Sequence, residues 1–235
     1  YRLGENPSNQ VLVLEFGGSD FSPFIQMPAA LSYPMNMPKF DWGYKAEPEP
    51  ELNGRSLVCP RGKVIGGSSS INGMIYVRGN PGDYHEWARM GAKGWDYPDV
   101  LPYFQRMEKS HGGTSEFRGS DGPLHVTHGK RDNPLHEAFV SAAQQAGYER
   151  TEDYNAYRQE GFGPADMTVH NGSRFSTAKA YLKPALAKKN VKLVTRVLVD
   201  KIIFEGKKAV GVEFFYQGQK KIIKVKKDVI LSAGS

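Results

Sequence analysis

Arg61 to Trp87 reads RGKVIGGSSSINGMIYVRGNPGDYHEW, with paired glycines, three serines and an asparagine set between apolar stretches. Gly66 and Gly67 lack a β-carbon, so the backbone there can take positive φ and let a ligand approach its amides. Ser68, Ser69 and Ser70 add small hydroxyls. Asn72-Gly73 then opens Met74-Ile75-Tyr76-Val77, an apolar stretch too ordered in pattern for a solvent loop, against which a large flat group could lie. A Gly/Ser cluster alone reads as a flexible turn, but these flanks make it a backbone cradle for a cofactor.

The second chemical signal lies upstream. Gln10 to Gly18, QVLVLEFGG, is an apolar run of strand length ending in an acid and two glycines. Such a run is typical of a buried parallel strand. In dinucleotide-binding βαβ units an acid at the end of the second strand takes the ribose hydroxyls, and Glu15 is placed to do so. The Gly-rich fingerprint normally precedes that acid by about 20 residues, which puts it ahead of Tyr1. No G-x-G-x-x-G occurs in the sequence. Tyr1-Arg2-Leu3 is then expected to be the last turn of a helix with Gly4 to Pro7 as its exit, the chain starting inside a nucleotide-binding domain.

The elements that must position these residues fall into three blocks, without internal repeats or low-complexity linkers. Residues 1–78 hold the strand, an irregular excursion over about 21–55, and the cradle. Pro28, Pro34, Pro38, Pro48 and Pro50 exclude long helices or central strands from that excursion, and a long ordered loop is more often functional than accidental. Residues 79–190 are mixed. Asn133-Pro134 starts a helix with Leu135, Ala138, Phe139, Ala142 and Ala146 on one face and Gly147 as its stop. Ser176 is expected to cap another helix that Pro184 kinks or ends, and Gly122 to Thr127 and Ala165 to Val169 read as strands. Residues 191–235 are strand-rich: VKLVT, RVLVDKIIF, AVGVEFFY, KKIIKVK and DVILSAGS.

Composition narrows the function classes. The chain has 235 residues, 39% hydrophobic and 24% charged, ordinary for a globular protein. No apolar run reaches the roughly 18 residues of a transmembrane helix, and the first residues do not read as a signal segment, so any membrane contact is expected to be peripheral. The formal charge of +6 owes much to eight lysines between Lys201 and Lys227. They alternate with Ile202, Ile203, Val210, Val212, Ile222, Ile223 and Val225, the pattern of a solvated sheet face rather than a nucleic-acid surface. The single Cys59 forbids an internal disulfide and a multi-cysteine metal site, and fits a reducing compartment. A P-loop is excluded because Lys63 precedes the glycines, and a serine hydrolase because G-x-S-x-G is absent. His125 and His128 have a spacing that invites a metal reading. A strand context turns them to opposite faces and no third ligand is evident, so no metal site is expected.

Six segments in family order resemble the glucose-methanol-choline (GMC) family of FAD-dependent alcohol oxidoreductases over essentially the whole chain. They are LGENPSNQVLVLEFGG, FIQMPAALSYPMNMPKFDWGYKAEPEPELNGR, RGKVIGGSSSINGMIYVRGN, DGPLHVT, EGFGPADMTVHNGSRFSTAKAYL and VILSAGS, with the signature at Arg61 the most specific. The resemblance implies an α/β (α+β overall) fold: a partial FAD/NAD(P)-binding Rossmann-like domain, split between 1–78 and 191–235, with part of an inserted mixed α/β substrate-binding domain over 79–190. The excursion at 21–55 resembles the lid that covers the flavin. Implied FAD contacts are Glu15 at the adenosine ribose, Val64 and Ser68 in the cradle, Asn72, Gly73, Met74 and Ile75 beside the isoalloxazine and pyrophosphate, and Val197 at the adenine. Some members link FAD through a histidine just before that asparagine; here Ile71 stands there, which implies a noncovalent flavin.

The implied reaction is oxidation of a primary alcohol by hydride transfer to flavin. QMPAAL, EPEP and FGPADMTV resemble the choline-oxidising branch, which converts choline to betaine aldehyde for glycine betaine and passes electrons to an acceptor other than NAD. Another GMC alcohol dehydrogenase or oxidase, and a noncatalytic flavin-fold remnant or interaction module, stay open, as do a homo-oligomer and the acceptor's identity. The implied location is the bacterial cytoplasm or the inner face of the cell membrane. The family's catalytic His/His or His/Asn pair belongs after ILSAGS, so no catalytic residue is assigned here; none of the six histidines matches it. Trp42, Tyr44 and Phe162 could face a choline cation, but no carboxylate can be placed with them.

Overall fold

The computed structural model describes residues 1–112, 115–130 and 132–234. Its strands are β1 (Val11–Glu15), β2 (Glu108–Ser110), β3 (Leu124–His128), β4 (Asp166–Met167), β5 (Val169–His170), β6 (Ser173–Arg174), β7 (Val191–Thr195), β8 (Val197–Glu205), β9 (Lys208–Tyr216) and β10 (Gln219–Lys224). The α-helices are α1 (Pro23–Gln26), α2 (Pro81–Arg89), α3 (Tyr97–Met107), α4 (Pro134–Gln145) and α5 (Lys183–Leu186). They form two compact units: Tyr1–Gly73 with Thr177–Ser235, and Met74–Ser176. The seams fall at 73/74 and 176/177. The helical run ahead of Val191 belongs with the first unit because its start is tied to the glycine cradle: Thr177 N donates to Ser69 Oγ at 2.9 Å.

In the first unit β1 pairs in parallel with β7, from Val11 opposite Val191 to Glu15 opposite Thr195. The strand is half-buried rather than buried on both faces, with Leu12 exposed. A 3-10 turn over Arg2–Glu5 replaces the expected helix end at Tyr1 to Leu3. The proline-rich excursion contains only the four-residue α1 and isolated 3-10 turns, as its missing N–H donors and fixed φ require. It still builds a core: Ile25 and Phe40 pack with Val64 and Ile71 of the cradle, and Met35 and Met37 close the edge.

The strands β8, β9 and β10 form an antiparallel meander. Gln217 (φ 51°) and Gly218 (φ 73°) turn β9 into β10 in the left-handed conformation a two-residue type I′ hairpin demands. On this sheet Lys220 and Lys201 reach Glu213 at 2.9 and 3.3 Å, so part of the lysine stripe is neutralised in place. No strand forms over Asp228 to Gly234, contrary to the sequence expectation. A strand needs a paired neighbour to satisfy its backbone, and among the described residues none runs beside it.

Of the two effects expected of Pro184 after Ser176, it does not end the helix: a π-turn over Ala178–Leu182 precedes the proline and the chain stays helical to Leu186. Such a turn re-registers the backbone ladder where proline supplies no donor.

In the second unit the helix starts follow the sequence. Asn80, Asp96 and Asn133 accept from Gly82 N, Tyr97 N and Leu135 N, each followed by an early proline. The buried face of α4 is Val140 and Ala143, whereas Leu135 is 76% and Phe139 63% exposed. The expected Leu135/Phe139 face therefore looks outward, the one-residue ambiguity of a helix that is apolar on two sides. The expected strand Ala165 to Val169 is broken at Thr168, whose N–H donates to Met74 O at 2.8 Å. β4 pairs with β3 and β5 with β6.

At the centre of this unit lies a buried ionic network that no sequence pattern announced. Glu108, fully buried, accepts from Arg78 Nη2 at 2.9 Å, Arg118 Nε at 2.8 Å and Gly119 N at 2.9 Å. Arg118 Nη1 also donates to Asp153 and to Asp166 Oδ2 at 2.8 Å. Burial alone would lower the Arg118 pKa, but Glu108, Asp166 and Asp153 together raise it. Removing one member of a buried network leaves its partner charged and unpaired, which costs about 3–5 kcal/mol. Glu108→Ala should lower the urea unfolding midpoint of the purified protein accordingly, while Glu86→Ala, in the exposed pair with Arg89, should leave it unchanged.

Candidate functional site

The cradle in the first unit is built by backbone crossings too close for side chains. Beyond β1 the chain passes so near Lys63–Val64 that a β-carbon on Gly17 would lie 2.1 Å from the Lys63 carbonyl oxygen. Gly18 and Val64 pair in parallel, Ile65 N donating to Gly18 O at 3.0 Å. A β-carbon on Gly62 would lie 2.2 Å from the Gly67 carbonyl carbon. Gly66 and Gly67 take φ of 89° and 56°, the positive values expected from their lack of a β-carbon.

Hydroxyls then lock the turn. Ser68 Oγ accepts from Gly62 N at 3.0 Å, Ser69 Oγ donates to Gly66 O at 2.6 Å, and buried Ser70 Oγ donates to Ile65 O at 2.8 Å. Thr177 Oγ1 adds a bond to Gly66 O at 3.1 Å. Asp41 braces the entry by accepting from Arg61 N at 2.7 Å and Gly43 N at 3.1 Å. On the opposite side the turn is open: β-carbons on Gly67 and Gly73 would meet nothing within 4 Å.

Glu15 stands at the end of β1, its Oε1 accepting from Gly17 N at 2.7 Å. Burial raises its pKa and the Gly17 amide opposes that rise. Val64 and Val197 are buried as whole residues, 0% and 1% exposed. Ser68 and Asn72 are exposed, and Asn72 N is tied to Ser68 O at 2.8 Å. Ile71 is buried in the core with Ile25 and Phe40. Glu15, Val64, Ser68, Asn72, Gly73 and Val197 thus share the first unit, while Met74 and Ile75 follow directly in the chain but belong to the second.

In that second unit Met74 is buried with φ 64°, a backbone conformation that L side chains adopt at a cost. Its carbonyl accepts from Thr168 N at 2.8 Å and Thr168 Oγ1 at 3.2 Å. Ile75 bridges Met167 and is 52% exposed, so its side chain is offered outward. Tyr76 N donates to Asp166 O at 2.9 Å, and Asn155 links Tyr76 O, Arg78 N and Asp166 Oδ2 at 2.8–3.0 Å.

Two sequence-level candidates fare differently. Trp42 stacks on Phe16 and Tyr44 with centroids 4.7 and 6.0 Å apart, and Lys63 Nζ lies 5.6 Å from its ring. The adjacent Asp41 carboxylate is engaged with backbone amides, so this group is not an open cation box. His125 and His128 do face opposite ways: His128 Nδ1 lies 2.6 Å from Asp166 Oδ1, while His125 joins His111 and His170. The trio comes from three segments separated by 14 and 45 residues, which spacing along the chain does not reveal. Among the described residues no helix is long and apolar enough to cross a membrane.

The sequence pattern of the GMC oxidoreductases matches residues 12–235. The chain is 58% identical over its full length to the oxygen-dependent choline dehydrogenase of Brucella anthropi and 57% to that of Rhizobium etli, spanning 43% of each relative. Among solved structures it matches pyridoxine 4-oxidase from Mesorbium loti with TM-score 0.90 at 30% identity, covering 95% of this chain and 44% of that one. It matches an FAD-dependent oxidoreductase from Chaetomium thermophilum with TM-score 0.91 at 28% identity, covering 99% and 42%. The chain belongs to the GMC oxidoreductase family, whose members are FAD flavoproteins, and its mixed helix and strand structure is that of their FAD-binding domain in part.

The crossings make a sharp prediction about which glycines the fold needs. Gly17→Ala should destabilise the protein by about 1–3 kcal/mol or more, the cost of overpacking, because backbone must move. Gly54→Ala, at an open loop position with φ 72°, should cost only the left-handed strain of about 1–2 kcal/mol. Urea unfolding of the two variants orders them; equal midpoints would mean the crossing at Gly17 is not tight.

Proposed function

We propose that this chain forms the FAD-holding part of an enzyme that oxidises a primary alcohol, with choline as the favoured substrate and betaine aldehyde as product. The observation that carries the reading is the cradle at Gly62–Gly73, closed on one side by backbone crossings and open at Gly67 and Gly73. The residues fit the cofactor. Glu15 offers a carboxylate at the strand end for ribose hydroxyls. Exposed Ser68, whose hydroxyl accepts from Gly62 N, keeps its proton to donate to phosphate charge. Asn72 and Gly73, followed by Met74 and Ile75, would line the flavin ring, with Val64 and Val197 contributing backbone.

When bound, the flavin supplies the acceptor for the hydride removed from the alcohol carbon. This chain's part is to orient that cofactor and exclude water from it; no residue here is assigned as the catalytic base. The buried Ile71 side chain, packed into the core, supports a noncovalent flavin. Choline is favoured by the 58% identity to proteins named oxygen-dependent choline dehydrogenase, and that name also makes oxygen the acceptor to try first.

Four measurements on the full-length protein test the reading. Anaerobic choline should bleach the flavin absorbance while benzyl alcohol and glucose leave it, and oxygen uptake should follow choline addition. Reduction by benzyl alcohol in preference to choline would move the enzyme to another branch of the family. Acid precipitation should release the flavin into the supernatant; a flavin that stays with the pellet would overturn the noncovalent assignment. Gly73→Ala should fold normally, since its β-carbon meets no protein atom within 4 Å, yet carry less flavin. Wild-type flavin content in that variant would remove Gly73 from the site.

A further inference from the structure

Within the second unit three imidazoles converge on one point. His111 lies just beyond β2, His125 is the second residue of β3, and His170 ends β5. One ligand nitrogen from each lies within 4.8 Å of the others. His111 Nε2 and His125 Nδ1 are 2.8 Å apart, and the ring centroids of the three pairs are separated by 5.0, 5.1 and 3.8 Å.

The positions are held by backbone, not by chance rotamers. β2 runs parallel to β3 with Lys109 opposite His125, and His111 N donates to Val126 O at 2.9 Å. β5 is tied to β3 where Thr127 Oγ1 donates to Val169 O at 3.0 Å. The Phe175 ring walls one side, 4.7 Å from His125 and 5.7 Å from His170. His111 stays exposed and leaves the other side open to solvent.

An imidazole binds metal through a neutral ring nitrogen, and each of the three rings offers one such atom within 4.8 Å of the others. Tetrahedral coordination at 2.0–2.1 Å places ligand nitrogens about 3.3–3.4 Å apart, inside the observed range, so side-chain rotation alone suffices. The cost is the positive charge of Lys109, an exposed residue of β2.

We propose that His111, His125 and His170 bind one divalent transition-metal ion of the zinc class, with water in the fourth position. Neutral imidazole ligands suit zinc, copper, nickel and cobalt and disfavour calcium or magnesium. The ion clips the loop after β2 to β3 and β5, a structural role within this unit that is independent of the flavin reading.

The test uses full-length protein stripped with chelator. Titration with zinc should show one equivalent bound per chain, zinc should raise the melting temperature, and cobalt(II) should give the visible bands of a tetrahedral site. His111→Ala, an exposed change, and His170→Ala should each weaken zinc binding by about tenfold or more, the loss that removing even an outer partner of a metal site produces. Flavin content should not change in either. Absence of a stoichiometric zinc site, or zinc and cobalt binding that is the same in wild type and His111→Ala, would overturn the proposal. In that case the trio is a stack of imidazoles joined by one hydrogen bond.

Discussion

The structure of the first unit rests on two places where main chain crosses main chain with no room for a side chain. At Gly17 the exit of β1 lies against Lys63–Val64, and at Gly62 the cradle folds back on Gly67. Close approach of this kind is available only to glycine. It sets the carboxylate of Glu15 at the end of a strand and buries Val64 and Ile71 in the core with Ile25 and Phe40. The proline-rich excursion follows from the same constraint: unable to form long elements, it supplies the apolar residues that pack beneath the turn.

A different interaction organises the second unit. Glu108, Arg118 and Asp166 are buried charges that satisfy one another and fix the segment Tyr76–Arg78 through Asn155 and Arg78. That segment is the later part of the signature motif and follows Met74 and Ile75 directly in the chain. The unusual φ of Met74 is held by two hydrogen bonds from Thr168. Backbone strain at such a position persists only where surrounding structure over-determines it.

Much of this was legible in the sequence because it is local chemistry. Glycine pairs announced positive φ at 66 and 67, prolines excluded helices from 21–55, and the Asn133-Pro134 cap started α4. The parallel strand at Val11 could be read from its continuous apolar run. What escaped was non-local. The tie between Thr177 and the cradle is a hydrogen bond to Ser69, 108 residues away. The network around Glu108 joins residues from 78 to 166, each of which reads singly as an ordinary surface charge. The strand expected over Asp228 to Gly234 lacked the neighbour that periodicity takes for granted. The histidine trio combines all of these difficulties, with three distant residues brought together only by strand pairing.

The account stands on the cradle as the flavin's seat. A crystal structure of the full-length protein with its flavin bound tests this most directly. The account predicts continuous flavin density along Ser68 to Ile75, with ribose hydroxyls within hydrogen-bond distance of the Glu15 carboxylate. Flavin density elsewhere, with Glu15 turned away and the open side of Gly67 and Gly73 filled only by solvent, would contradict it.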